Sequence, residues 1–167
     1  GAAVNQAKGG SCRRSRPHAA ARRVPLRPPR GRENGATPLC IACYKGQVEC
    51  VRLLCDAGAA VGQADDGGFS PLFVACQKGH LEIVRLLLEA GAAFDQACNN
   101  GATPLSIACQ QAHLDIVQLL LEAGAATDQA RDGGDTPLLI ACENNSLECV
   151  RLLLKAGAAV NQAEQNG

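Results

Sequence analysis

A block of 33 residues is written four times along this chain in one register, and that repeat limits what the chain can fold into. Thr37-Pro38-Leu39 returns as Ser70-Pro71-Leu72, Thr103-Pro104-Leu105 and Thr136-Pro137-Leu138. Each copy continues with Ala-Cys (Ala42, Ala75, Ala108, Ala141) and Val-x-Leu-Leu (from Val51, Val84, Val117, Val150), and closes on Gly-Ala-Ala at Gly58, Gly91, Gly124 and Gly157. A fixed period of this size marks stacked supersecondary units rather than one globular core. Such stacks present extended surfaces that hold other molecules.

One unit can be read residue by residue. Ser70 can cap a helix through its hydroxyl, and Pro71 suits the first helical position, where no backbone N–H is needed. Leu72, Val74, Ala75 and Cys76 then predict a short first helix ending near Lys78-Gly79, with Gly79 in a left-handed turn. A second helix is predicted from Leu81 to Ala90, carrying Leu81, Val84, Leu87 and Leu88 on one stripe. Gly91 fits the position just beyond its end. The polar, turn-rich residues between units predict a hairpin-like loop. Neither helix is long enough to stand alone in water, so each pair depends on its neighbours.

These units resemble ankyrin repeats, whose Thr-Pro-Leu-His, Ala-Ala, Gly-His, Val-x-x-Leu-Leu and Gly-Ala motifs are nearly reproduced here. The resemblance implies an all-α repeat solenoid of stacked helix-turn-helix units with projecting β-hairpin-like loops. It spans repeat 1 (32–64), repeat 2 (65–97), repeat 3 (98–130) and repeat 4 (131–163). Residues 1–7 match the tail of a preceding repeat, and 164–167 match the start of a truncated one. The family's His after Thr-Pro-Leu is replaced by Cys40, Phe73, Ser106 and Leu139, so the hydrogen bonds it makes between repeats are expected to be lost. The glycine of the inter-helix turn becomes Ala112 in repeat 3 and Asn145 in repeat 4. A left-handed alanine there would cost about 1–2 kcal/mol.

Between residue 7 and repeat 1 the rhythm breaks. Gly1–Ala7 repeats Gly157–Ala163 residue for residue, but Arg32-Glu33-Asn34-Gly35 then arrives about 24 residues late. The intervening 8–31 is rich in Arg, Pro, Ala and Gly, and its composition predicts disorder. Two readings stand: a basic arm with clusters at Arg13-Arg14 and Arg22-Arg23, or a translated noncoding stretch of GC-rich bias. This segment also distorts the overall charge. Lys8 to Arg32 holds nine Lys and Arg and no acid, while Glu33 onward holds seven bases against sixteen acids, a net of nine negative charges. The array is acidic, so nucleic acid is not an expected partner.

The cysteines fall into repeat columns rather than a disulfide or zinc framework. Cys43, Cys76, Cys109 and Cys142 share one position; Cys50 and Cys149 stand where Ile83 and Ile116 do, and Cys55 stands where Leu88, Leu121 and Leu154 do. They are read as small buried apolar residues. Packed helices lie about 8–10 Å apart, further than the roughly 7 Å a disulfide spans, so the thiols should stay free. Free thiols place the chain inside the cell, in the cytoplasm, with the nucleus as the alternative. No apolar run is long enough to span a membrane. The chain has no methionine and begins inside a repeat, so it reads as a piece of a longer protein.

Chemistry finds little support. Cys40-x-x-Cys43 has redox or zinc-like spacing, but no second pair or nearby His completes a site. His80 and His113 occupy the Gly-His turn position, where the family uses them structurally, and His18 lies in the basic stretch. Glu82, Glu89, Asp115 and Glu122 recur on the outer side of second helices as a solvated face. No phosphate-cradling glycine loop occurs, and neither a cofactor nor a metal is expected. The resemblance implies instead a monomeric module that binds a protein partner on a concave face of loop tips and first helices. The alternative is a docking or regulatory domain of a larger enzyme or signalling protein whose catalytic part lies elsewhere. The positions that vary there while the frame repeats are Tyr44, Lys45, Asp66, Phe69, Gln77, Lys78, Asn99, Asn100, Gln110, Gln111, Asp132, Asp135, Glu143 and Asn144. Tyr44 and Phe69 are the expected anchors, because exposed aromatics often dominate interfaces.

Overall fold

The computed structural model describes residues 35–161. The segments 1–7, 8–31 and 164–167, together with Glu33, Asn34 and the outer ends of repeats 1 and 4, lie outside the described residues. Within them the chain is all-helical, in pairs: α1 (Pro38–Lys45) with α2 (Val48–Asp56), α3 (Pro71–Lys78) with α4 (Leu81–Glu89), α5 (Pro104–Gln111) with α6 (Leu114–Glu122), and α7 (Pro137–Glu143) with α8 (Leu147–Lys155). The first helices stack in the order α1, α3, α5, α7, and the second helices form a parallel layer of α2, α4, α6, α8. The expected solenoid is what forms.

Each first helix starts on the cap read from the sequence. The hydroxyls of Thr37, Ser70, Thr103 and Thr136 accept hydrogen bonds from the amides of Cys40, Phe73, Ser106 and Leu139, at 3.1, 3.2, 3.1 and 3.3 Å. Such caps contribute about 1 kcal/mol each. The middle pairs are enclosed on both sides, so every residue from Pro71 to Gln77 is buried. A short helix that is apolar nearly all round can exist only when neighbours cover it. The second helices are two-faced: Ile83, Val84 and Leu87 are buried, while Glu82, Arg85 and Glu89 are exposed.

The connecting tips are tight turns, and no strand occurs among the described residues. The amide of Asp65 donates to Phe69 O at 3.2 Å, Cys98 to Ala102 O at 2.9 Å, and Arg131 to Asp135 O at 3.2 Å. Neighbouring tips are tied to one another. The amide of Asn99 donates to Gly67 O at 3.1 Å, and that of Asp132 to Asn100 O at 2.9 Å. Below the tips, Asp95 accepts from the Ala126 amide at 3.0 Å and Asp128 from the Ala159 amide at 2.8 Å, each joining one repeat to the next.

Two expectations need correction. The hydrogen bonds of the missing His are not all lost: the Cys40 thiol donates weakly to Gln63 O at 3.7 Å and to Phe69 O at 3.9 Å. At the equivalent positions, Phe73 packs its ring on Phe69, while Ser106 turns its hydroxyl onto Thr103 O at 2.9 Å. Second, not every cysteine is a core residue. Cys40, Cys43, Cys76, Cys98, Cys109 and Cys149 are buried, but Cys55 is half-buried, and Cys50 and Cys142 are exposed. Cys142 belongs to the last described pair, so no following helix covers it as α3 covers Cys43. Among the described residues no pair precedes α2 to cover Cys50 as Ile83 and Ile116 are covered. The tips form hairpin-like turns, without strands among the described residues.

The inter-helix turn explains the two glycine replacements. Gly46 and Gly79 are left-handed, with φ of 71° and 77°, and a Cβ on them would meet the rings of His80 and His113 at 2.8 and 2.7 Å. Ala112 keeps the same conformation, with φ 56°, and so does Asn145, with φ 52°. One repeat beyond His113, the matching residue is Ser146, which is much smaller. The Ala112 methyl therefore has room, and only backbone strain remains. Ala112→Gly should raise stability by about 0.5–1 kcal/mol, the relief of strain less the added unfolded-state entropy. Gly79→Ala should lower it by about 2 kcal/mol or more, because strain and the His113 clash add. Urea unfolding of the two variants measures both signs.

Burial also sets how the thiols titrate. Desolvation pushes Cys43 up from its ordinary value of 9.0 to about 12, with the nearby Cys40 and Cys55 thiols adding to the shift. Cys76 is pushed up for the same first reason. Cys109 is held well above 9.0 by its hydrogen bond to Cys149 and by burial. A group raised in the folded state binds more protons than its unfolded counterpart above pH 9, so stability falls as pH rises. The contribution is complete below about 9.0 and is lost progressively toward 12. Urea unfolding should show a loss near 1 kcal/mol between about pH 8 and pH 10 for each thiol raised in this way, Cys43 and Cys76. Cys76→Ala should lose less between those pH values than the parent chain.

Candidate protein-interaction surface

The fourteen variable positions lie at the loop tips and on or just after the first helices, and they fall into two groups. One group presents side chains outward. Lys45, Asp66, Asp132 and Glu143 are exposed, and Tyr44, Lys78 and Gln111 are half-buried. The other group is engaged with the array itself. Gln77 is 6% exposed, inside the wall of α3. Asn100 Oδ1 accepts from the Ala102 amide at 3.1 Å and from the Cys98 thiol at 2.8 Å, and so shapes its own turn. Asn99 donates through Nδ2 to Asp66 O at 2.9 Å, and Asn144 donates through Nδ2 to Gln110 O at 3.3 Å.

Phe69 is also drawn inward. Its ring packs against that of Phe73, with centroids 5.1 Å apart and planes tilted by 33°, and it abuts the apolar core. It is half-buried, as Tyr44 is. The local reason is Asp65, whose Oδ1 accepts from the amides of Gly67 and Phe69, both at 2.9 Å. That turn rotates residue 69 over the start of α3. Around Tyr44, also half-buried, Lys78 Nζ lies 4.3 Å and Lys45 Nζ 5.7 Å from the ring centroid.

Sequence reasoning overlooked Arg131. Its guanidinium is buried, donating from Nε to Asp135 Oδ2 at 2.7 Å, with a second nitrogen 2.7 Å from the same oxygen. A third contact runs from Nη1 to Gln110 Oε1 at 3.0 Å. Arg131 thereby locks the tip of repeat 4 to α5 of repeat 3, and it removes Asp135 and Gln110 from the free surface. The signal was an Arg, in a column that elsewhere holds Arg32, Asp65 and Cys98, followed four residues later by an acid where the other copies have Ala36, Phe69 and Ala102.

The described residues contain no group of three or more His, Cys, Asp or Glu side chains placed to hold a metal ion. No helix among them is long and apolar enough to cross a membrane. A family model described as ankyrin repeats, three copies, matches residues 23–98 and 90–164. The chain belongs to the ankyrin repeat family. The match begins at residue 23, inside the stretch assigned from composition to the basic insert. None of the curated proteins compared with this ankyrin repeat chain matches it. Ankyrin repeats are generally protein-interaction modules, and the fold is typically non-catalytic.

The buried ion pair has a measurable consequence. Removing one member of such a pair leaves an uncompensated charge and typically costs about 3–5 kcal/mol, whereas replacing both with apolar groups is often near neutral. Asp135→Ala should therefore destabilise by about 3 kcal/mol, and Arg131→Met with Asp135→Leu should recover most of that loss. Chemical denaturation of the single and double variants provides the comparison.

Proposed function

We propose that this ankyrin repeat array is a non-catalytic module that binds a protein partner on the side formed by its loop tips and first helices. The observation that carries the reading is where variation falls. The frame residues of each repeat are confined to caps, turns and core, while the columns of Lys45 (Lys, Lys, Gln, Asn), Asp66 (Glu, Asp, Asn, Asp) and Glu143 (Tyr, Gln, Gln, Glu) vary along the array, and Lys45, Asp66, Asp132 and Glu143 are exposed. None of these four is needed to close a turn or fill the core. A row of rigidly held, chemically varied side chains on a fixed frame is how repeat proteins build extended binding surfaces. The positions already tied into the array (Gln77, Asn100, Gln110 and Asp135) act as support for that row.

The reading extends to setting. Unpaired cysteines, buried through most of the stack, favour a reducing intracellular compartment, the cytoplasm before the nucleus. The excess of acids over bases from Glu33 onward disfavours a phosphate backbone as partner. A single copy of the chain supplies the whole row, so the module works as a monomer.

The test compares two sides of one molecule. Tyr44→Ala with Lys78→Ala and Asp132→Ala should abolish recovery of cross-linked partners from cell extract. Arg85→Glu, on the exposed side of α4, should leave recovery intact, and both variants should melt within a few degrees of the parent. Equal recovery by the two variants would count against this surface.

A further inference from the structure

We propose that the repeat 1–2 end of this surface is a docking patch for the acidic part of an extended protein segment, centred on Tyr44, Lys45 and Lys78. The inference rests on the interaction surface proposed above and names the chemistry of its partner. Two ammonium groups converge on one aromatic ring, Lys78 at 4.3 Å and Lys45 at 5.7 Å from the Tyr44 centroid. The ring's negative face attracts both, but it carries no net charge to neutralise them. Among the described residues neither lysine has a carboxylate at ion-pair distance, whereas Arg52 has two and Arg131 and Arg151 have one each. A carboxylate arriving beside either ammonium gains a charge-assisted contact without displacing an ion-pair partner.

The rest of the row selects for the same polarity. The column that carries Lys45 and Lys78 continues as Gln111 and Asn144, and the column that begins with Tyr44 ends at Glu143. Charge along the first helices thus runs from basic to neutral to acidic. With seven bases against sixteen acids from Glu33 onward, an acidic segment is repelled from most of the array and admitted at this end. Stacked helices lie about 8–10 Å apart, so three steps from α1 to α7 cover roughly 24–30 Å. An extended segment rises about 3.3 Å per residue, so a basic residue about eight or nine positions from the acidic cluster would reach Glu143.

The experiment is a titration of the whole ¹⁵N-labelled chain, followed by amide chemical shifts, with hexaglutamate and separately with hexalysine. Hexaglutamate should move the amides of Tyr44, Lys45 and Lys78, and hexalysine those around Glu143. Lys45→Glu with Lys78→Glu should weaken the hexaglutamate response about tenfold or more while the rest of the spectrum stays dispersed. Hexaglutamate shifts that are absent, or that fall on Arg85 and Arg151 of the second helices, would overturn the patch. Tighter binding of anionic vesicles or single-stranded RNA than of hexaglutamate at the same residues would overturn the choice of partner. If the patch fails while partners still cross-link to the tip and first-helix side, only this inference falls. Loss of both removes the surface as well.

Discussion

Everything in this molecule depends on one helix pair being covered by the next. Helices of seven to nine residues have almost no stability in water, because the cost of nucleating them is not recovered over so few hydrogen bonds. Here each pair becomes stable by burying Leu, Ile, Val and Cys against its neighbours, and the covered pairs are the well-buried ones. Leu87 and Leu120, in repeats 2 and 3, are fully enclosed, while Leu54 in repeat 1 is only half-buried. Burial is a property of position in the stack as much as of residue type.

That dependence explains which parts of the structure were legible beforehand. Caps, turns and helix limits follow from local rules, so Ser70-Pro71, Gly79 and Gly91 could be placed from the 33-residue pattern alone. The left-handed backbone at Ala112 was legible as a strained copy of a glycine turn. Exposure of Cys50 and Cys142 was not, because a column average hides which copy lacks a neighbour. The surface residues were the least legible. An Asp at a tip looks like a binding residue from sequence, yet Asp135 is taken by Arg131, a contact between residues four apart whose burial depends on α5 in the repeat before.

Two kinds of polar residue therefore coexist at the tips and first helices. Asp65, Asn100, Asp135 and Gln110 spend their hydrogen-bonding capacity on turns and repeat junctions. Lys45, Asp66, Asp132 and Glu143 remain turned to solvent. The first kind keeps the second kind in register, since a tip free to rock would spread its exposed side chain over many positions. Tip-to-tip bonds such as the Asn99 amide to Gly67 O serve the same end.

The pairing of Ala112 with Ser146 reaches beyond the turn in which it sits. Gly46 faces His80 and Gly79 faces His113, so those junctions share one lock and key. The third junction has moved the bulk to the other side of the boundary, from the ring to the methyl. The units are consequently not interchangeable beads. A histidine-bearing repeat set behind Ala112 would collide with it, and repeat 4 set behind Gly79 would leave a void where a ring belongs. The order of the repeats, and with it the order of charges along the surface, is written into the side-chain sizes at their boundaries.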